Sequence, residues 1–369
     1  MMWVIIIGGI FLFAIGSLFF LASRFGSFSW IRRLTGGRKA LSYLAGLAVV
    51  LLAGTVLTVT LDYMNTAICM LHLTAIWLLA ELIGWIAGKG RGKKLSQDKI
   101  GVAAIVVTAV YLCVGWYLAH HVFEQRYELN TEKSVGTFRI VAMADAHLGT
   151  TFEAEEFENA MREIAALSPD VVVIVGDYVD DASPLQTMIE CTEKLPLTQP
   201  TFGIYYVFGN HDRGYYGPEG RGYDGDRLVQ ELEKNGVRVL EDETVLIDDR
   251  VYLIGRKDKS SEHRGGRATM EQLTAGLDDD KYQVVLDHQP NDYDSEQAAG
   301  VDLVLSGHTH GGQMIPVNPV GVWMGANDKT YGLEQRGDTN FIVTSGISCW
   351  EVKFKTGCKS EYVVIDIRE

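Results

Sequence analysis

The sequence predicts an α/β domain preceded by an all-α membrane region with four spans. Three observations carry this prediction. Apolar residues are concentrated before residue 122, short β-branched runs alternate with amphipathic stretches after residue 136, and polar side chains follow those runs. Strands alternating with helices are typical of parallel or mixed sheets. We therefore divide the chain into a membrane region, 1–122, a polar linker, 123–136, and a domain, 137–369.

Four apolar runs before residue 122 have about the 20 residues that a helix needs to cross a bilayer. They are Met2–Ala22, Ala40–Leu61, Met64–Gly88 and Ile100–Ala119. The chain start lacks the positive charge of a cleaved signal peptide, so we expect four retained spans.

Charges between the spans predict the orientation of the chain. Five basic residues lie from Arg24 to Lys39 and five from Lys89 to Lys99, whereas the middle connection offers only Asp62. Short basic loops stay in the cytoplasm, so we expect a multi-pass protein of the cell membrane whose domain is extracytoplasmic. Residues 1–122 hold 10 of the 33 Lys and Arg but 3 of the 47 Asp and Glu, so the domain is acidic and a poor match for nucleic acid.

Two ionisable side chains, His72 and Glu81, lie within the third predicted span. Ionisable residues within a membrane span often have a functional role. The spacing of these two puts them on roughly opposite faces of the helix. The alternative is an interhelical hydrogen bond for His72 and an interfacial position for Glu81. Among the cysteines after residue 122, Cys349 and Cys358 are the pair that a disulfide would join, with free thiols as the alternative.

The run 170–175 is the clearest strand of the domain and ends in Gly176-Asp177. Successive β-branched residues predict a strand buried on both faces, and glycine lets the chain leave the sheet. Asp177 would then stand at the carboxyl end of the strand, where open α/β sheets bind ligands. A lone aspartate there more often caps a helix or closes a turn. Whether Asp177 binds a ligand is therefore judged from the residues at the other strand ends.

The first predicted strand, Thr137–Ala144, ends in Asp145-Ala146-His147. Alternate side chains of an extended segment point the same way, so Asp145 and His147 can face one metal ion, although an aspartate cap for the helix Glu153–Leu167 is as common.

The third strand, Phe202–Phe208, ends in Gly209-Asn210-His211-Asp212. An asparagine beside a histidine at a strand end suits a hard cation, with a turn-only role for Asn210 as the alternative. The loop Arg213–Asp226 is rich in Gly and Tyr, which is typical of a substrate-contacting loop or lid.

Two later strands repeat the pattern. Tyr282–Asp287 is followed by His288, and Val301–Leu305 is followed by a glycine-flanked segment with His308 and His310. Five of the nine histidines thus stand at strand ends, which independent structural roles do not explain.

The combined side chains offer too many ligands for one ion. Two carboxylates, one amide oxygen and four or five imidazoles suit a pair of divalent or trivalent metal ions. Mixed nitrogen and oxygen ligation without cysteine favours Mn, Fe or Zn over Ca. Such a pair lowers the pKa of a shared water and clamps phosphoryl oxygens.

These segments together resemble the signature of the calcineurin-like metallophosphoesterases. The five blocks, Asp145-Ala146-His147, Gly176-Asp177, Gly209-Asn210-His211-Asp212, His288 and Gly307-His308-Thr309-His310, occur in the family's order. The continuation Gly311-Gly312-Gln313 is similar to a bacterial membrane-associated branch. The resemblance spans about Thr137 to Ile367 and implies a two-sheet αββα sandwich.

The resemblance also implies a role for each residue. One metal would be held by Asp145, His147, Asp177 and His310, and the other by Asp177, Asn210, His288 and His308, with Asp177 bridging. His211 would protonate the leaving oxygen or stabilise the transition state, and Asp212 would orient its imidazole.

We therefore expect a membrane-anchored dimetal phosphoesterase that hydrolyses phosphomono- or diesters by a metal-bridged hydroxide. Four spans exceed what tethering requires, which favours lipid or lipid-linked envelope phosphates as substrates. One alternative is a broad phosphodiesterase that the spans only localise. The other is a non-catalytic metal-binding membrane sensor or scaffold, against which the leaving-group acid His211 argues.

Overall fold

A computed structural model describes residues 2–91, 95–216, 218–260 and 266–369. The chain divides into two compact units, residues 1–115 and 116–369. The first unit is helical, and the second contains both sheets.

Apolar helices build the first unit. Their bounds are α1 Met2–Gly26, α2 Ser29–Leu34, α3 Lys39–Thr60, α4 Tyr63–Arg91 and α5 Gln97–His120, whose last turn belongs to the second unit. Three described segments, Lys39–Thr60, Tyr63–Lys89 and Gln97–His120, are long and apolar enough to cross a membrane.

The prediction of four spans is thereby corrected to three in the described part of the chain. The remaining predicted span, Met2–Ala22, lies partly outside the described side chains, and its described apolar segment, Leu12–Gly26, is too short to qualify.

The two ionisable residues of α4 have separate partners. The Glu81 carboxylate lies 2.7 Å from Nε of Arg24, so this charge is paired. Its interfacial position stays a prediction. Nδ1 of His72 lies 2.8 Å from the Ile68 carbonyl of its own helix, and its ring stacks on Tyr111. The interhelical contact of His72 is therefore a ring contact, and its hydrogen bond is intrahelical.

In the part of the chain that the structure describes, twelve strands form the two sheets of the second unit. They are β1 Val122–Asn130, β2 Thr137–Met143, β3 Val171–Val175, β4 Ile204–Val207, β5 Val237–Val239, β6 Glu243–Ile247, β7 Val251–Gly255, β8 Tyr282–Leu286, β9 Leu303–Ser306, β10 Gly332–Arg336, β11 Thr339–Val343 and β12 Ser360–Arg368. The strand orders are β1-β12-β2-β3-β4-β5 and β10-β11-β9-β8-β7-β6.

Helices cover both outer faces of the sheet pair. Their bounds are α6 Ala154–Ala166, α7 Leu185–Thr192, α8 Pro218–Arg221, α9 Gly225–Lys234, α10 Met270–Thr274, α11 Tyr293–Ala298 and α12 Val320–Trp323. Apolar residues of α6, α7 and α9 pack on the first sheet, and those of α10 and α11 on the second. The inner faces pack against each other, which confirms the αββα sandwich.

The register of the parallel strands brings their carboxyl ends to one edge. Met143 pairs with Ile174, and Val175 pairs with Val207, so β2, β3 and β4 end level with one another. In the second sheet Leu286 pairs with Leu305, which aligns the ends of β8 and β9. All five residues of β3 are buried, as the β-branched run predicts.

The polar segment expected to be a linker contains a strand. Val122–Asn130 forms β1, which pairs in parallel with β12 from Val122 opposite Ser360 to Asn130 opposite Arg368. Its residues are mostly half-buried or exposed because it is an edge strand, which explains why its hydropathy resembles that of a linker. The first sheet of the second unit therefore begins before Thr137.

All five cysteines are free thiols. The Cys349–Cys358 disulfide considered from the sequence is thus not formed: Cys349 is buried, and Sγ of Cys358 donates a hydrogen bond to the His310 carbonyl at 3.0 Å.

Candidate metal centre

Asp145, His147 and His310 form one cluster at the shared strand edge. One donor atom of each lies within 4.8 Å of the others, and all three residues are buried. Nε2 of His147 lies 3.2 Å from Nε2 of His310, which in turn lies 3.6 Å from Oδ1 of Asp145. The donor atoms thus converge on one point, as ligands of a single cation do.

Asp177, His288 and His308 form the second cluster, again within 4.8 Å. Oδ2 of Asp177 lies 3.1 Å from Nε2 of His288 and 3.8 Å from Nε2 of His147. This oxygen therefore faces both clusters. Asn210 joins the second cluster because its Oδ1 lies 2.8 Å from Nδ1 of His308.

The donor chemistry fits metal ions. Burial and the neighbouring His288 lower the pKa of His308 to about 4, and burial together with His147 lowers the pKa of His310. Both imidazoles are therefore neutral near pH 7, the form that binds metals. Nδ1 of His310 is buried and has no hydrogen-bond partner among the described residues.

Backbone conformation at the strand ends is unusual. Five of the clustered residues have positive φ angles between 37° and 69°: Asp145, His147, Asp177, His308 and His310. L-residues rarely adopt this region, and such strain concentrates at functional sites. Gly176 and Gly209 allow close packing beside Asp177, because a Cβ on Gly176 would lie 2.5 Å from Nδ1 of His288 and one on Gly209 would collide with the Asp177 carboxylate.

Asp180 is a site residue that the sequence analysis missed. Its Oδ2 lies 3.0 Å from Nδ1 of His147, and since a carboxylate only accepts, Nδ1 carries the proton and Nε2 presents its lone pair to the cluster. Burial raises the pKa of Asp180, but the hydrogen bond and charge of His147, together with the Ala182 N–H bond, outweigh burial, so the pKa is lowered. The segment Gly176-Asp177-Tyr178-Val179-Asp180, with a second carboxylate three residues after the first, was the available signal.

Asp212 is hydrogen-bonded to the backbone of the strand-end loops. Its oxygens accept backbone N–H bonds from Asp177, Val179 and Gly209 at 2.8, 3.0 and 2.7 Å. Both oxygens accept from the strand-end loops, so Asp212 fixes the backbone around Asp177. Its predicted role in orienting the His211 ring stays a prediction.

His211 stands at the mouth of the site. Its ring centroid lies 5.3 Å from that of His147, 5.0 Å from Tyr215 and 5.2 Å from Trp350. Burial lowers the pKa of His211, while the Asp177 charge opposes this shift. The open cavity in front of it measures about 650 Å³, and its rim includes Tyr216.

Comparisons with known proteins agree with this geometry. Residues 138–312 match the family described as calcineurin-like phosphoesterase. A Bos taurus "Transmembrane protein with metallophosphoesterase domain" is 29% identical over 304 residues, covering 76% of this chain and 66% of that protein. A Danio rerio protein of the same name is 28% identical, covering 73% and 62%, so the chain spans under two thirds of these relatives. An Aquifex aeolicus metallophosphoesterase is 33% identical, covering 51% of this chain and 69% of that protein.

Replacing Asp180 by alanine should weaken metal binding by about 10- to 100-fold, because the His147 ring loses the acceptor that fixes its tautomer and orientation. The matched control is Asp226→Ala, since the Asp226 side chain is 85% exposed. The measurement is the metal content of purified full-length protein across a series of chelator concentrations. Equal metal retention by the two variants would contradict the role given to Asp180.

Proposed function

Because the chain belongs to the calcineurin-like phosphoesterase family, we propose that its domain hydrolyses phosphomono- or diesters with two metal ions. The observation that carries this proposal is the pair of buried ligand clusters on either side of the Asp177 carboxylate. A single cluster would suit a structural ion, whereas two clusters that share a carboxylate suit the two-metal clamp of phosphoryl transfer.

The ligands divide naturally between two positions. Asp145, His147 and His310 would hold one metal, Asn210, His288 and His308 the other, and Asp177 would serve both. Bound Mn, Fe or Zn would supply Lewis-acid activation of water and neutralise phosphoryl charge.

The surrounding residues prepare this arrangement. Asp180 fixes the His147 tautomer, and Nδ1 of His288 donates to the Val175 carbonyl at 2.8 Å, which leaves Nε2 of each ring facing the site. The His211 backbone N–H donates to Oδ1 of Asp177 at 2.8 Å, so Oδ2 alone faces both clusters.

His211 is the residue that we assign to the substrate. Its ring lies at the cavity mouth, between Tyr215 and Trp350, and a neutral imidazole retains one N–H for a phosphoryl or leaving-group oxygen. This role does not require Asp212 to touch the ring, because the aromatic neighbours limit its orientation.

Two substitutions separate these roles. Asp177→Ala should lose both metals and all activity, because one carboxylate serves both clusters. His211→Ala should retain both metals and lose on the order of 100-fold or more in kcat. The measurements are metal content and hydrolysis of a bis-aryl phosphate by full-length protein supplied with Mn.

Unchanged kcat in His211→Ala would remove the role given to this ring. If the metal-loaded protein hydrolyses no mono- or diester above the rate of free metal, the sensor or scaffold alternative is correct.

We further propose that the domain lies outside the cytoplasm, because basic residues are concentrated in the loops before α3 and before α5. A cysteine at the exposed Glu132 should react with a membrane-impermeant thiol reagent in intact cells. A cysteine at Leu34, which is 79% exposed in the predicted cytoplasmic loop, should react only after lysis. The reverse pattern would place the domain in the cytoplasm.

The substrate that we favour is a lipid or lipid-linked phosphate. The last candidate span ends at His120 and β1 begins at Val122, so the domain follows the membrane region without a spacer. Tyr215, Tyr216 and Trp350 line the cavity and give it an apolar rim suited to a partly apolar leaving group.

For this substrate class, kcat/KM should rise along a series of phosphatidic acids or phosphodiester lipids of increasing acyl length, since each buried CH2 contributes about 0.8 kcal/mol. A soluble bis-aryl phosphate serves as the reference for full-length protein in mixed micelles. Equal kcat/KM along the series and for the reference would show that the spans only localise a broad phosphodiesterase.

A further inference from the structure

Exposed apolar side chains in the domain are concentrated in two places. Among the large apolar residues that the described part of the chain exposes after Val122, all but Leu246 and Leu333 belong to them. The cavity rim accounts for Tyr215, Tyr216 and Trp350, and the segment around α12 accounts for Ile315, Val317, Val322 and Trp323. We name the second group the α12 patch. Its Trp323 is 77% exposed, and an isolated soluble surface seldom leaves such a cluster in water.

The last turn of the candidate span α5 lies in the same compact unit as the patch. The Trp116 ring contacts the Phe354 ring edge-on, with centroids 5.8 Å apart. The Ser360 hydroxyl donates to the Ala119 carbonyl at 2.7 Å. Trp116 and Tyr117 are partly exposed aromatic residues at the end of an apolar span, the usual composition of a membrane–water boundary. Phe354 therefore contacts an aromatic residue at the end of the candidate span.

Hydrogen bonds connect Phe354's segment directly to the α12 patch. The Thr356 N–H donates to the Gln313 carbonyl at 2.9 Å, and the Ile315 N–H donates to Oγ1 of Thr356 at 3.2 Å. The Gln313 side chain also donates to the Val352 carbonyl. The patch thus begins beside the residues that touch the end of the membrane helix.

The same two segments reach the catalytic site at their other ends. His310, a member of the first metal cluster, lies five residues before Ile315. Trp350, four residues before Phe354, stands 5.2 Å from the His211 ring. Short stretches of chain therefore join the α12 patch to the end of α5 and to the cavity rim.

We propose that the α12 patch inserts into the interfacial layer of the bilayer that holds this protein's own helices. Its occupant is lipid because hydrogen bonds join the patch to the segment that contacts the end of a candidate span, and because the patch contains tryptophan and branched aliphatic side chains. The inserted patch sets the cavity rim against the lipid surface. The site then takes phosphate esters from the membrane plane, which rests on and narrows the proposed function.

The test measures lipid contact at the patch without using catalysis. Full-length protein carrying Trp323→Cys is labelled with an environment-sensitive fluorophore and reconstituted into phosphatidylcholine vesicles, with and without brominated acyl chains. Cys113, the exposed native thiol, is replaced by serine, and the signal of the same chain without an added cysteine is subtracted. We expect emission at shorter wavelength than in water and quenching by the brominated lipid.

Leu246→Cys is the matched control, because Leu246 is a 40% exposed apolar residue on β6, at the edge of the second sheet opposite β10. Its label should emit as in water and remain unquenched. Val317→Cys tests the patch at a second position if the Trp323 substitution impairs folding.

Two results would overturn the proposal. Labels at positions 317 and 323 that behave like the label at 246 would show that the patch stays in water. Emission at shorter wavelength that brominated lipid does not quench would show that protein, such as a second copy of the chain, covers the patch. Neither result depends on hydrolysis, so loss of this inference and loss of the phosphoesterase proposal are distinguishable.

Discussion

The domain depends on one constraint: the negative charge of the buried Asp177 carboxylate has to be compensated. Burial of an ionised carboxylate costs several kcal/mol unless donors or cations surround it. Burial raises its pKa, yet His288 and His147 in their protonated forms together outweigh this effect and lower it, while burial and the Asp177 charge raise the pKa of nearby Asp145 to about 6. Two carboxylates so placed repel each other, and bound cations would remove that repulsion. The strand ends, the close packing at Gly176 and Gly209, and the backbone hydrogen bonds to Asp212 all hold the Asp177 carboxylate in place.

Strands and candidate ligands that follow from a local sequence pattern could be predicted. The buried run Val171–Val175 identified its own strand because β-branched residues suit a sheet covered on both faces. The strand-end positions of His308 and His310 followed from the preceding apolar run, and parallel strands necessarily share an edge. Sequence could therefore name the residues that the structure brings together, along with the two-sheet sandwich that the family implies.

Features that depend on distant partners were not predictable. β1 is a strand because β12 lies beside it, and Val122 pairs with a residue at the far end of the chain, Ser360. A local reading of its alternating polar residues gives a linker. Asp212 is a second case, because its place in the sequence does not reveal that three backbone N–H groups from strand-end loops donate to its carboxylate. Long-range hydrogen bonds decide both cases.

The α12 patch would explain how a strongly acidic domain can contact a lipid surface. An acidic surface gains little from anionic headgroups, so contact with the bilayer has to come from apolar side chains such as Trp323 and Ile315. Four side chains alone would give weak, reversible binding to membranes. Attachment through α5 would raise the effective concentration of the bilayer at the patch, and this would convert weak affinity into lasting contact without further interactions. The spans would then do more than anchor the protein, because they would hold the cavity rim at the surface where the proposed lipid substrate lies.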